Sequence, residues 1–108
     1  MHTDHPITDY EAVVVDGAQF IDVRKPEEVA NGAIDGTTNI PLDQITGRLG
    51  ELDPKRRVVV MCRSGVRSTE AAEILTGAGF NDVVNLKGGM MAWEKANKKS
   101  RSFLSKFR

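Results

Sequence analysis

The chain has one cysteine, Cys62, at the head of Cys62-Arg63-Ser64-Gly65-Val66-Arg67. An unperturbed cysteine is only about 3% thiolate at pH 7, and lowering its pKa by about two units makes it mostly thiolate. This segment offers three ways to do that. Backbone N–H groups of a tight, glycine-containing loop can converge on the sulfur as an anion nest. A helix beginning after the loop would point its positive end at it. Arg63 and Arg67 add fixed positive charge. The same cradle would accept an anion carrying sulfur or phosphorus. A thiolate that takes the outer sulfur of thiosulfate becomes a persulfide and releases sulfite, and a second nucleophile then removes that sulfur. Without a second cysteine, the acceptor must come from outside: cyanide, a small thiol or a partner protein's thiol. A lone cysteine is often no more than a small buried hydrophobe. Its placement between a strand, a helix and two arginines favours a reactive thiol.

The elements around the loop read as follows. Arg57-Val58-Val59-Val60-Met61 is an apolar, β-branched run without alternation, as expected of a strand covered on both faces. Ser68 to Thr76 reads as a helix ended near Gly77 and Gly79. Gln19 to Val23 and Val83 to Leu86 read as further strands, and Asn39-Ile40-Pro41 as extended. Pro26-Glu27-Glu28 puts proline and acids in a first helical turn that Gly32 can stop. Leu42, Ile45, Leu49 and Leu52 recur at helical spacing, and Gly88-Gly89 turns the chain into a last helix containing Trp93. Thr8-Asp9-Tyr10-Glu11 fits a capping box, which predicts a short helix over residues 9–15. Strand and helix alternate, which implies an α/β fold: a parallel sheet with helices on both faces. Ligands in such sheets sit beyond the carboxyl ends of the strands, and Cys62 stands there.

At 108 residues, of which 40% are hydrophobic, the chain suits a single core. No apolar run approaches the ~20 residues of a membrane span, and the polar start lacks a signal-peptide pattern, so a cytoplasmic domain is expected. One cysteine excludes an internal disulfide and a multi-cysteine metal site, and no cofactor is expected. His2 and His5 read as part of a frayed terminus rather than metal ligands. Zero net charge hides a split: residues 95–108 carry six basic residues and no acid, so the remainder carries a net charge of −6. A body this acidic is a poor nucleic-acid binder. The sequence therefore divides into a domain over 1–94 and a basic, helical extension over 95–108. There Trp93, Ala96, Ser100, Phe103 and Phe107 form a helical stripe beside Leu104. That stripe would pack on the acidic body or a second subunit, or dock the tail on an anionic surface or acidic partner.

Taken together these segments resemble the rhodanese family. The resemblance runs over about residues 7–94. Ile21-Asp22-Val23-Arg24 with Pro26-Glu27-Glu28 matches the family's first signature. Gly32 to Gly36 with Asn39-Ile40-Pro41 matches its middle segment. Cys62 to Ser68 with Ala71-Ala72 and Leu75 matches its active-site loop and helix. Gly79-Phe80, Asn85-Leu86, Gly88-Gly89 and Ala92-Trp93 match its closing signature. The resemblance implies a five-stranded parallel sheet and a persulfide-forming nucleophile at Cys62. It also implies a cradle made by Arg63, Ser64, Gly65, Val66 and Arg67, with Asp22, Arg24 and Ser68 in support. Many members have His where this chain has Ala33 and Pro where it has Asp35, a change at the rim or in local packing rather than in the nucleophile. The spacing Cys-x4-Arg resembles the sulfurtransferase members. Phosphatase relatives use Cys-x5-Arg, and that sixth position is Ser68 here. The resemblance therefore implies thiosulfate or another sulfane-sulfur donor, with cyanide or a thiol as acceptor. A persulfide carrier in a sulfur relay and a non-catalytic interaction module are the alternatives.

Overall fold

A computed structural model describes the backbone of residues 1–105 and the side chains of residues 1–97. Its strands are β1 (Thr3–Pro6), β2 (Gln19–Asp22), β3 (Thr38–Asn39), β4 (Val58–Met61) and β5 (Val83–Lys87). Its α-helices are α1 (Pro26–Ala30), α2 (Leu42–Ile45), α3 (Val66–Gly77) and α4 (Gly89–Ser105). Short 3-10 helices cover Ile7–Ala12 and Thr46–Glu51. The strands form one five-stranded sheet in the order β1-β5-β4-β2-β3, and every pair is parallel.

Because β4 lies at the centre of the sheet, its residues must be apolar on both faces. Val58, Val59, Val60 and Met61 are all fully buried. Val58 and Val60 pack with Ile45 of α2 and Ala71, Ala72 and Leu75 of α3. Val59 and Met61 pack on the opposite face with Ile7, Leu86 and Met90. Cys62 continues the alternation onto the α3 face, so the pleat itself aims its side chain toward the start of that helix. Trp93 packs half-buried against the other layer, as an anchor of the core.

Three expectations need correction. Residues 9–15 do not form a capped α-helix: the 3-10 helix over Ile7–Ala12 has no side-chain cap, and Asp9 leaves helical geometry at φ −122° and ψ 33°. Asp9 instead faces His5, whose Nε2 lies 3.2 Å from its Oδ2. The first residues are not frayed. Thr3–Pro6 pairs in register with Val84–Lys87 as an edge strand, held by backbone bonds along one side only. The apolar stripe from Leu42 to Leu52 is not one helix but α2 followed by the 3-10 helix. Phe103 and Leu104 lie in α4, but their side chains and all of Phe107 lie outside the described residues.

Candidate active site

The chain leaves β4 at Met61 and enters α3 at Val66, so residues 62–65 turn a corner between them. Gly65 closes that corner as the residue before the helix, at φ +104°, a conformation that glycine adopts without steric cost. With this twist the Gly65 N–H points back at the Cys62 sulfur, 3.0 Å away. The Ser68 hydroxyl lies 3.4 Å from the same sulfur. The thiol donates in its neutral form, and the hydroxyl donates once the sulfur is ionised. Burial pushes the Cys62 thiol up, but the Ser68 hydroxyl and the backbone N–H groups of Ser68, Gly65 and Ser64 outweigh it. The thiol is held below its ordinary value.

The two loop arginines do something other than crowd the sulfur. Arg67 forks onto Glu28 of α1, with Nη1–Oε1 at 2.6 Å and Nη2–Oε2 at 3.0 Å. The bonds from Arg67 draw the Glu28 carboxyl down to about 2 against the opposing effect of burial. In return the Glu28 carboxylate raises Arg67, with smaller contributions from the charges of Cys62 and Asp22. Arg67 therefore couples to the thiolate at range, while the hydrogen-bond donors of the corner do most of the lowering. Arg63 and Ser64 are exposed at the mouth of the loop, and Val66 is 75% exposed beside them. Arg63 and Glu28 also line a hollow of about 130 Å³ with Arg24, Asn31, Gly32 and Glu94. A larger cleft, of about 310 Å³, is lined by Arg67 with Val23, Lys25, Pro41, Leu42, Asp43 and Glu70.

Beneath the loop, Asp22 and Arg24 form a buried ion pair. Arg24 Nε and Nη2 donate to Asp22 Oδ1 and Oδ2 at 3.0 and 2.8 Å, and the Arg24 N–H also donates to Oδ1 at 3.0 Å. Nη2 reaches on to the Gly32 carbonyl at 2.8 Å, so the pair clamps the segment after α1 onto the end of β2.

The sequence did not disclose several residues on which the corner depends. Asn39 Nδ2 donates to the carbonyls of Asp22 and Arg24, each at 2.9 Å, which fixes the end of β2. Gly89 packs directly on the corner: a Cβ there would lie 2.5 Å from the carbonyl oxygens of Cys62 and Arg63. Met90 and Met91 N–H donate to those carbonyls at 2.8 and 2.9 Å. The paired glycines at 88–89 were the one available signal for this close approach. Among the described residues, no His, Cys, Asp and Glu cluster could hold a metal ion.

The chain is thus an α/β domain with a five-stranded parallel sheet and a thiol buried under converging donors at a strand-to-helix corner. Residues 8–96 match the family model of the rhodanese-like domain. The chain belongs to that family. It is 40% identical over 76 residues to a sulfurtransferase of Allochromatium vinosum, covering 70% of this chain and 71% of that protein. It is 39% identical over 79 residues to the thiosulfate sulfurtransferase GlpE of Shewanella oneidensis, covering 73% and 78%. Among solved structures, a rhodanese-like domain protein from Staphylococcus aureus superposes with a TM-score of 0.73 at 34% identity, covering 85% of this chain and 89% of that one. These likenesses support sulfur transfer as the general class of activity.

Proposed function

We propose that the protein is a single-domain sulfurtransferase that carries sulfane sulfur on Cys62, with thiosulfate as a donor. The observation that carries this reading is the donor set around the sulfur: Gly65 N–H at 3.0 Å and the Ser68 hydroxyl at 3.4 Å, at the start of α3. Donors aimed at a thiolate serve equally a persulfide anion or the charge on an entering sulfur oxyanion. The Cys62 thiolate attacks the outer sulfur of thiosulfate, a new S–S bond forms, and the original S–S bond breaks with its electron pair leaving on sulfite. An acceptor then attacks the outer sulfur of the persulfide. Cyanide leaves as thiocyanate, a thiol leaves as its own persulfide, and Cys62 returns as thiolate. The Arg63, Ser64 and Val66 rim receives the donor, Arg67 holds α1 against the loop, and Asp22 and Arg24 keep its floor rigid. Ser68 at the sixth position after the thiol, buried and turned to the sulfur, supports a sulfur-sized cradle over a phosphate-sized one. A free thiol of this kind suits the reducing cytoplasm. Intact mass spectrometry tests the reading. Reduced wild-type protein should gain one sulfur atom with thiosulfate and lose it to cyanide, and Cys62→Ala should do neither. Folded, reduced protein that gains no sulfur would overturn it.

A further inference from the structure

β5 is apolar and buried over Val83, Val84 and Leu86, yet Asn85 stands between them only 2% exposed. A buried amide costs free energy unless its groups are paired, so an asparagine at this position calls for a reason. Among the described residues its Oδ1 has no partner, while both protons of its Nδ2 are used. One is donated to Asp4 Oδ1 at 3.1 Å, on the β1 residue opposite it in register. The other is donated to Thr69 Oγ1, also at 3.1 Å. The Thr69 hydroxyl then donates to the Gly65 carbonyl at 2.7 Å, and the Thr69 N–H donates to the same oxygen at 3.1 Å. Gly65 is the residue whose own N–H reaches the Cys62 sulfur.

A chain of side-chain contacts thus runs from the sheet edge through its interior to the residue that aims at the thiol. Asn85 settles which way the Thr69 hydroxyl points, because it occupies the acceptor side of that oxygen and leaves the proton for Gly65. Two donors on one carbonyl pin the peptide plane after Gly65. Without a side chain, Gly65 has the widest freedom of rotation in the corner, and pinning one of its planes restrains the aim of the other. We propose that Asn85 and Thr69 are positioning residues for Cys62, acting through the Gly65 peptide to hold its N–H on the sulfur; this rests on the reading of Cys62 as the reactive thiol.

Cys62 is the sole cysteine, so alkylation by iodoacetamide at neutral pH reports on this thiol alone in the full chain. Thr69→Val and Asn85→Val should each slow alkylation about three- to ten-fold, the loss of one ordinary hydrogen bond's influence. Thr69→Ser, which keeps the hydroxyl, should stay within about two-fold of wild type. The Tm of Asn85→Val should equal or exceed that of wild type, because an apolar strand residue replaces an amide with an orphaned oxygen. Wild-type alkylation rates in folded Thr69→Val, or equal slowing in Thr69→Ser, would overturn the proposal. So would slowing in Asn85→Val in proportion to a lowered Tm. Failure of wild type to form a persulfide would strike the sulfurtransferase reading alone, since the alkylation rates do not depend on it.

Discussion

Neighbouring strands β4 and β5 each end in a tight corner that opens a helix, and the two corners spend their backbone donors differently. Each helix start offers N–H groups with no partner inside the helix. At the β5 corner, Met90 and Met91 give theirs to the carbonyls of Cys62 and Arg63. At the β4 corner, Gly65 turns its N–H onto the Cys62 sulfur. One corner gives two donors to bracing its neighbour; the other turns one onto a group that can carry negative charge. The β4 corner is also tied to α1 through Arg67 and Glu28. The proposed function accounts for this difference: the carbonyls of the β4 corner are satisfied from behind, and its Gly65 N–H faces the sulfur.

Breaking the brace should have the largest effect. Gly89→Ala puts a Cβ 2.5 Å from backbone atoms of residues 62 and 63 at a φ of +57°, and backbone has nowhere to yield. A loss of about 3 kcal/mol or more is expected, read as a Tm lowered by roughly 12 °C or more. Gly79→Ala is the control, with φ +97° but nothing within 4 Å of the new Cβ. It should cost only the local strain, about 1–3 kcal/mol, and leave the thiol's reactivity unchanged. Equal losses of reactivity in the two variants would remove the distinction between the corners.

Cutting the tie to α1 is a smaller perturbation, and pH exposes it. The Glu28 carboxyl is lowered to about 2, chiefly by its bonds from Arg67. A depressed carboxylate contributes stability that is fully present above its ordinary value, and that contribution is lost as the pH falls through its folded one. Wild type should therefore be more stable than Glu28→Gln at about pH 6, and the difference should shrink below about pH 4.5 and vanish only below about pH 2. Thermal unfolding of both proteins across that range checks it. A gap independent of pH would mean that the pair contributes little to holding α1 on the loop.

How much of this the residues disclosed depends on range. Val58 to Met61 was legible as a doubly covered strand because burial on both faces leaves no alternation to confuse it. Cys62 to Arg67 was legible as a tight corner between a strand and a helix because its turn residues lie within a few positions. Thr3–Pro6 was not legible: an edge strand needs backbone pairing on one side only, so polar side chains and a proline are tolerated there. Thr8 and Glu11 have the spacing of a capping box, but a 3-10 helix formed and no side chain capped it. The partner of Arg67 was hidden because Glu28 lies 39 residues away in sequence. A basic residue beside a thiol suggests direct charge stabilisation, and only the fold reveals that its fork is already occupied. The contact of Asn85 was hidden too, since the Thr69 hydroxyl it meets belongs to another element.

The most direct test of the account is the pH dependence of Cys62 alkylation in wild type and in Ser68→Ala. The Ser68 hydroxyl and the backbone donors lower the thiol against the cost of burying it. Wild type should therefore titrate below the ordinary cysteine value of about 8.5. Ser68→Ala, having lost the foremost of those donors while burial remains, should titrate higher than wild type. A wild-type midpoint at or above the ordinary value, or no shift in the folded variant, would contradict the claim that the β4 corner is built to hold a thiolate.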